Sequence, residues 1–284
     1  MNFGVISNKS KDPEGKLLSL ICNKINTKGD RIVFAKDMGK HDIFSDAAID
    51  ETDMLISMGG DGTFLNIARQ TAEKNIPIMG VNTGSLGFLS AIDINEMDFA
   101  LDMLHKSEYT IDERMMVKGE IISDEQVRVS CHALNDIVIA RGLLSRIVNL
   151  RVFIDGVYVD SFPGDGVIVS TPTGSTGYSL SAGGPVVDHD LDLMVITPIC
   201  PHILHAKSFI AGPESTIRIE VLKEGDYSCI LTADGQKGHE LKGGDIIKIS
   251  KSNMSVKVVK IAGSALFKTL RNKIYYRNGD KDET

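Results

Sequence analysis

The sequence lacks the features that mark membrane, secreted and nucleic-acid-binding proteins. No apolar run among its 284 residues approaches the length of a membrane span. The first residues, MNFGVISNKSKD, turn polar after about seven positions and contain no signal-peptide core. The formal net charge of −7 does not attract nucleic-acid phosphates or anionic lipid. We therefore expect a cytoplasmic protein with neither nucleic acid nor a membrane as partner.

Cysteine is scarce and scattered. The four cysteines, Cys22, Cys131, Cys200 and Cys229, form no CxxC pair, so we expect reduced thiols rather than a disulfide or zinc framework. His202 and His205, in PHILH, have no third ligand of suitable type close in sequence, and we interpret them as structural.

What is present in the first hundred residues is an alternation of strands and helices. FGVIS (3–7), RIVFA (31–35), MLISM (54–58) and IPIMGV (76–81) have the composition of strands. Leu17, Leu18, Ile21 and Ile25 fall at helical spacing, and further helices are predicted at 63–75 and 97–106. Gly29 is a plausible end of the first helix. This order predicts a parallel sheet covered by helices.

From about Tyr109 the pattern changes to short, mostly alternating strands. These are VKGEII, QVRVS, DIVIA, NLRVFI, GVYVDSF, GVIVS, STIRIEVL, SCILTA, DIIKIS and SVKVVKI. Asp155-Gly156 between VFI and VYV predicts a hairpin turn. We therefore expect a second, β-sandwich-like domain, followed by a polar, frayed tail.

The stretch ISMGGDGTFL (56–65) is the main candidate for chemistry. Its glycines stand where a predicted strand meets a predicted helix, and backbone N–H groups at a helix start bind anions, phosphate above all. A carboxylate among phosphates requires another role, either binding a cation or accepting a proton. Asp61 is suited to both.

Other interpretations of this turn are structural or belong to other phosphate-binding motifs. It could be a tight turn with Asp61 capping the helix, which would be preferred for a bare GxG. It is not a Walker A motif, because no GK[ST] follows, and it is not a dinucleotide fingerprint, because Leu65 stands where glycine is required. Any phosphates here are expected to bind without the P-loop lysine, so that a divalent ion neutralises most of their charge.

GGDGT is shared by NAD kinases, diacylglycerol and sphingosine kinases and, in a near variant, 6-phosphofructokinases. DGVIVSTPTGSTGYSLSAGGP (165–185), LNDIVIARG (134–142) and TPICPH (197–202) distinguish among them. With these motifs the chain resembles a bacterial NAD kinase, from its first strand to about residue 250.

The resemblance implies an N-terminal α/β domain (1–105), a β-rich NAD-binding domain (106–262) and a C-terminal segment (263–284) that returns to the first domain. It implies transfer of the ATP γ-phosphoryl group to the 2′-hydroxyl of the adenosine ribose of NAD, with Mg²⁺ as metal. Some family members also use polyphosphate, and relatives form dimers or tetramers, so a homodimer or homotetramer is expected.

The resemblance also assigns residues to roles. Asp61 matches the proton acceptor, and Gly59, Gly60, Gly62 and Thr63 would line the ATP phosphates. The residues assigned to NAD binding are Asp61, Gly62, Phe88, Asn135, Asp136, Arg146, Pro163, Asp165, Thr173, Thr176, Gly177, Tyr178, Ser179, Leu180, Ser181, Asp234 and Gln236. Read without the family, Asn135-Asp136 would be a turn, Arg146 a solvated charge, and residues 173–181 a hydroxyl-rich loop.

The chain departs from the family pattern at some positions. Pro163 stands where many relatives carry a basic side chain thought to influence the choice between NAD and NADH, so strict NAD preference is not implied. Gly177 replaces the commoner Ala. Two other functions remain as alternatives, a lipid kinase of the GGDGT group and a non-catalytic NAD(P)-sensing module.

Overall fold

The computed structural model of the chain describes residues 1–38, 47–84, 87–90, 92–142, 147–203, 205–222, 228–236 and 238–261. Arg146 and the predicted C-terminal segment 263–284 lie outside these ranges. The chain divides into two compact units, one of Met1–Glu113 with the chain from Val256 onward, the other of Arg114–Ser255.

The first unit is an α/β layer. Its elements are β1 (Asn2–Ser7), α1 (Lys16–Thr27), β2 (Arg31–Asp37), β3 (Met54–Gly59), α2 (Asp61–Thr71), β4 (Ile78–Asn82), β5 (Ile92–Asp93) and α3 (Met97–His105), with short 3₁₀ helices at Ala47–Glu51, Ala72–Lys74 and Ile94–Glu96. The parallel sheet has the order β2-β1-β3-β4, and β5 also pairs with β4. The carboxyl ends of the parallel strands therefore lie along one edge of the sheet.

The apolar pattern of these segments explains the layer. All six positions of β3 are buried, as expected for a strand covered on both faces. In α1, Ile21 and Ile25 are one turn apart and fully buried, and the helix ends two residues before Gly29, which has a φ of 84°. No helix in the described ranges has the length and apolar composition needed to cross a membrane.

The second unit consists mostly of strands. Its elements are β6 (Tyr109–Ser123), β7 (Gln126–Ala133), β8 (Asp136–Arg141), β9 (Val148–Ile154), β10 (Val157–Gly164), β11 (Gly166–Ser170), a 3₁₀ helix at Thr173–Thr176, α4 (Tyr178–Ser181), β12 (Met194–Ile199), β13 (Phe209–Ala211), β14 (Ile217–Val221), β15 (Cys229–Ala233), β16 (His239–Leu241) and β17 (Ile246–Ile261). The long strands β6 and β17 each begin in one unit and end in the other.

Two antiparallel sheets face each other in this unit. One has the order β13-β12-β11-β8-β15-β16, and the other contains β10-β9-β14-β17. Leu150, Val152 and Ile219 from the second sheet pack with Ile139 and Val167 from the first in one buried cluster. This is the arrangement of a β-sandwich, and the predicted fold class, an α/β domain plus a β-sandwich-like domain, is confirmed.

The Asp155-Gly156 hairpin is also confirmed. Both residues have positive φ, 50° and 80°, and Val157 pairs with Ile154 across the turn. These dihedral signs belong to a type I′ turn, whose twist matches that of the two strands it joins.

Several predicted elements differ in the structure. The predicted strands DIIKIS and SVKVVKI are one continuous strand, β17. The stretch 173–181 is two short helical turns rather than a loop, and α2 begins at Asp61, two residues before the predicted start. The sequence pattern did not single out β12, β13 or β16 as strands. The last two have only three residues each, too few for a period to be read.

Candidate active site

The glycine turn of the first unit is the start of helix α2. Strand β3 ends at Gly59, Gly60 is extended with φ −107° and ψ −172°, and the helix begins at Asp61. The Gly60 carbonyl accepts the first helical bond, from the backbone N–H of Thr63 at 2.9 Å. Gly60, at the N-cap position, has no side chain with which to cap this helix start. An uncapped helix N-terminus suits an anion, as the phosphate interpretation requires.

Asp61 is held from a different loop. Its carboxylate accepts the backbone N–H of Phe88 at 2.9 Å and that of Leu89 at 3.0 Å. A Cβ on Gly87 would stand only 2.0 Å from Asp61 Oδ1, so only glycine lets this backbone approach so closely. The side chain is half-buried, and the N-cap position of α2 is Gly60, so Asp61 is not the N-cap residue of its helix.

Thr63, predicted to line the phosphates, is buried on the inner side of the turn. Its hydroxyl accepts a hydrogen bond from the side-chain amide of Asn8 at 3.0 Å. A Cβ on Gly59 would lie 2.4 Å from this hydroxyl oxygen, so Gly59 is needed for the helix start to pack against the strand end. Thr63 thus ties the turn to the end of β1, and its side chain is less available to a ligand than the sequence suggested.

In the second unit, Asp234 organises the predicted Asn-Asp pair. It follows β15 with a φ of 51°, and its carboxylate accepts three backbone N–H groups, from Leu134 at 3.0 Å, Asn135 at 2.7 Å and Asp136 at 3.2 Å. The Asp234 N–H donates in return to the Asp136 carbonyl at 3.0 Å. The structure therefore places Asp234 as a support for residues 134–136, whereas the resemblance assigned it to NAD contact.

Asp136 is buried, and Asn135 is half-buried with its Oδ1 atom inside the protein. The Oδ1 atom of Asn135 has no hydrogen-bond partner among the described residues, although buried polar atoms are usually satisfied. Burial first, and then the negative charge of nearby Asp234, raise the pKa of Asp136 from its ordinary 3.8 to about 7. An unsatisfied acceptor, Asn135 Oδ1, beside a carboxyl group with a pKa of about 7, that of Asp136, is typical of a ligand-binding site.

Residues 173–181 cover this pair. A Cβ on Gly174 would stand 2.0 Å from the carbonyl oxygen of Asn135, and one on Gly177 would stand 3.4 Å from its Nδ2 atom. The backbone of the segment is therefore packed directly against Asn135. A side chain at position 177 would therefore stand against the Asn135 amide, which the glycine avoids.

Most hydroxyl groups of the segment are used within the protein. Thr173 Oγ1 accepts from Arg114 at 3.3 Å, Thr176 Oγ1 donates to the Thr173 carbonyl at 3.2 Å, and the hydroxyls of Ser179 and Thr197 are 3.1 Å apart. Ser181 is exposed and Leu180 half-buried. The buried hydroxyls therefore hold the segment in place, which the sequence interpretation did not include.

Tyr178 is the exception in this segment, since 46% of it is exposed. Burial raises the pKa of its phenol, and the negative charges of Cys200, Asp165 and Asp136 add to the effect. These contributions mean that Tyr178 lies near both predicted carboxylates, where its ring offers a stacking face.

Asp165 is paired rather than free. Its carboxylate lies 2.5 Å from Nε of Arg141, and the Arg141 N–H donates to the Asp165 carbonyl at 2.9 Å. The carbonyl of Pro163 accepts the backbone N–H of His202 at 2.7 Å. Arg141 thus brings from β8 a positive charge to a region where Pro163 supplies none.

The remaining predicted contacts are placed as follows. Phe88 is half-buried in the first unit, where its N–H holds Asp61, and the Gln236 N–H bonds the Ala233 carbonyl at 3.0 Å in the turn after β15. Gly62 is exposed in the first turn of α2. Arg146 lies outside the described residues, and its assignment stays a prediction.

Comparison with known proteins agrees with this description. Family models described as the ATP-NAD kinase N-terminal and C-terminal domains match residues 9–109 and 134–261. The chain is 41% identical to an NAD kinase of Acetivibrio thermocellus over 283 residues, 98% of each chain, and 40% identical to one of Caldanaerobacter subterraneus over 280 residues, 96% of this chain and 99% of the relative.

Solved structures give the same result. Yeast NADH kinase complexed with NADH superposes with a TM-score of 0.80 at 25% identity, over 100% of this chain and 90% of that one. An NAD kinase from Archaeoglobus fulgidus in complex with ATP has a TM-score of 0.75 at 26% identity, over 96% of this chain and 98% of that one.

A GGDG turn at a helix start in the α/β unit and an amide–carboxyl pair in the β-sandwich unit have the chemistry expected of a nucleotide phosphotransferase. The family matches and the identities over nearly the whole chain make the class specific: the chain belongs to the NAD kinase family.

Proposed function

We propose that the chain transfers the γ-phosphoryl group of ATP to the 2′-hydroxyl of the adenosine ribose of NAD, giving NADP. The observation that carries the proposal is the carboxylate of Asp61, held by two backbone N–H groups beside an uncapped, glycine-flanked helix start. One turn then offers both N–H groups for phosphate and a proton acceptor for a hydroxyl. The printed descriptions of the yeast complex with NADH and the archaeal complex with ATP support the two substrates.

Asp61 would act on the acceptor hydroxyl. Phosphoryl transfer passes through a loose transition state, so positioning of the nucleophile matters more than its early deprotonation. In this role Asp61, held by the backbone N–H groups of Phe88 and Leu89, would orient the 2′-hydroxyl and accept its proton late in the reaction.

Asn135 and Asp136 would bind the adenine of NAD. The unsatisfied Oδ1 of Asn135 requires a donor, which the exocyclic amine of adenine supplies. Asp136, with a pKa of about 7, is partly protonated at neutral pH and can also donate a hydrogen bond to a ring nitrogen. Tyr178 would stack on the ligand, since much of its ring is exposed.

Magnesium would assist at the phosphates. A carboxylate at the phosphate turn is an oxygen ligand of the kind that Mg²⁺ takes, and Mg²⁺ usually completes its shell with substrate phosphates and water. The residue that fits this role is Asp61. The bound ion would supply charge neutralisation on the transferring group.

The proposal extends to the redox form of the substrate, the phosphoryl donor and the oligomeric state. Pro163 carries no charge, so we propose that NADH is accepted as well as NAD. We also propose a cytoplasmic homodimer or homotetramer with ATP rather than polyphosphate as the main donor.

A coupled assay with an NADP-specific dehydrogenase tests the function. Purified protein with NAD, ATP and Mg²⁺ should form NADP, excess chelator should abolish the reaction, and added Mg²⁺ should restore it. NADH in place of NAD should also be phosphorylated, which is detected by chromatography. Calorimetric NAD binding without turnover would instead identify a sensing module, and phosphorylation of diacylglycerol without NADP formation would identify a lipid kinase.

A further inference from the structure

A lysine lies at the phosphate turn, although the motif contains none. The Nζ atom of Lys11 is 3.1 Å from the point at which a Cβ on Gly60 would stand. Gly60 is the residue immediately before helix α2. The ammonium group is therefore placed beside the helix start to which the phosphates are assigned, within the same structural unit.

The fold brings Lys11 there through two neighbouring strands. β1 and β3 are parallel, with Ser7 opposite Met58, and the Asn8 N–H continues the ladder to the Met58 carbonyl at 3.1 Å. The carboxyl end of β1 therefore lies next to the carboxyl end of β3, from which the GGDG turn leaves. The side chain of Asn8 then reaches the turn itself, at Thr63.

The segment that carries Lys11 is an ordered turn. The N–H groups of Lys11 and Asp12 both donate to the Asn8 carbonyl, at 2.9 and 3.0 Å, and the Asn8 side chain accepts the N–H of Ser10 at 3.0 Å. Asp12 is buried and accepts the N–H of Leu18 at 2.8 Å at the start of α1. The backbone under Lys11 is thus fixed on both sides.

The charge of Lys11 is available. Its side chain is exposed and makes no ion pair or side-chain hydrogen bond with the described residues. A lysine without a partner beside a helix N-terminus has the same chemistry as a P-loop lysine, which contributes a mobile point charge to bound phosphates.

We propose that Lys11 is the phosphate-binding lysine of this enzyme, contributed from the loop after the first strand rather than from the glycine turn. Its ammonium group donates to oxygens of the ATP phosphates. This inference rests on the proposed function for the identity of the ligand, but not for the position of the lysine.

The test compares three variants, Lys11→Gln, Lys11→Arg and Lys9→Gln. Lys9 is the matched control, because it is also exposed and lies two residues away. Binding of ATP and of adenosine is measured by calorimetry without NAD, at low and high salt, with a thermal melt of each variant. Lys11→Gln should weaken ATP binding about tenfold, the effect of one charge-assisted contact in an exposed site. Adenosine binding should be unchanged, and Lys11→Arg should retain most of the ATP affinity.

The outcomes separate this inference from the proposed function. Suppose that the wild type forms no NADP, and that ATP affinity falls in Lys11→Gln but not in Lys9→Gln. The proposed function then fails and the lysine assignment stands. If the wild type is active and Lys11→Gln binds ATP as tightly as Lys9→Gln, the assignment is overturned. Equal losses in both variants would also overturn it, because they indicate a general charge effect rather than a contact.

Discussion

Asp61 combines two roles at the scale of a single residue. It joins the start of α2 to the backbone of residues 88–89, and we propose that it also orients the acceptor hydroxyl. From the sequence, replacing it by Asn would be expected to leave folding nearly unchanged, since Asp and Asn cap helices about equally well. The structure changes that expectation, because Asp61 is not a cap.

We predict that Asp61→Asn lowers kcat by roughly 10²–10⁴-fold, the usual span for loss of general acid–base catalysis. The amide can accept only one of the two backbone N–H groups, so the free energy of unfolding should also fall by about 1–3 kcal/mol. NAD affinity should change far less. Steady-state kinetics, calorimetry with NAD and urea unfolding measure the three quantities. Near-normal kcat in a folded variant would mean that Asp61 only organises the neighbouring loop.

Asp136 gives a pH dependence whose sign is fixed by its pKa. The folded state raises that pKa from 3.8 to about 7, so between these values the folded protein binds more protons than the unfolded chain. The contribution of Asp136 to stability is therefore present at low pH and is lost as the pH rises through about 7, by up to about 1.4 kcal/mol for each pH unit in this window.

We predict that Asp136→Asn removes this loss. Urea unfolding of the wild type and the variant at pH 5 and pH 8 should show that the wild type is destabilised relative to the variant at the higher pH. Asp124→Asn, at an exposed turn position where the φ of 49° is tolerated by Asn, is the control and should leave the difference unchanged. Parallel behaviour of wild type and Asp136→Asn across this range would contradict the assignment.

At the scale of elements, the site around Asn135 and Asp136 is built from the ends of several strands. The turn after β15 supplies Asp234, the start of β8 supplies Asp136, and the turn after β11 supplies Gly174. Asp234 fixes the backbone of residues 134–136 from one side, and the Gly174 backbone packs against it from another. The position of the Asn135 side chain therefore depends on contacts within the protein, those made by Asp234 and by the Gly174 backbone.

We predict that Gly174→Ala weakens NAD binding and lowers the melting temperature. The added Cβ would meet the carbonyl oxygen and carbonyl carbon of Asn135 at 2.0 and 2.5 Å, and backbone atoms cannot swing aside. Overpacking of this kind costs about 1–3 kcal/mol. Gly212→Ala is the matched control, since its nearest neighbour would be Ser215 Oγ at 3.9 Å. If both variants bind NAD equally well, the packing of this segment does not set the position of Asn135.

At the scale of the whole molecule, the edges of the two sandwich sheets bear on the proposed oligomer. β10 and β13 are edge strands, and they expose Val157 (68%), Tyr158 (54%) and Ile210 (61%). Exposed apolar residues on edge strands favour association, because an open edge can pair with another chain.

We predict a dimer or larger assembly at working concentrations. Sedimentation velocity across a range of protein concentrations, with activity measured at each, should show the assembly and an activity that depends on it. A fully active monomer would refute the prediction.

Much of the architecture follows from local sequence. The alternation of apolar runs and helical spacing identified the α/β unit, the short alternating runs identified the β-sandwich, and Asp155-Gly156 identified its hairpin. The GGDG turn was placed at a strand–helix junction for the same reason. Backbone sterics and side-chain periodicity over a few residues set such features. They can therefore be predicted from the local sequence.

Tertiary structure alone decided how the candidate site is supported. Asp61 accepts a backbone N–H 27 residues away, Asp234 accepts one 99 residues away, and Lys11 lies beside Gly60 from the loop after β1. The raised pKa of Asp136 depends on its burial and on the Asp234 charge. Spacing along the chain cannot give these contacts, because they depend on which strand ends lie side by side once the sheets have formed. The sequence by itself therefore determined the family and the chemical types in the site, and the fold decided which of those side chains hold the others in place.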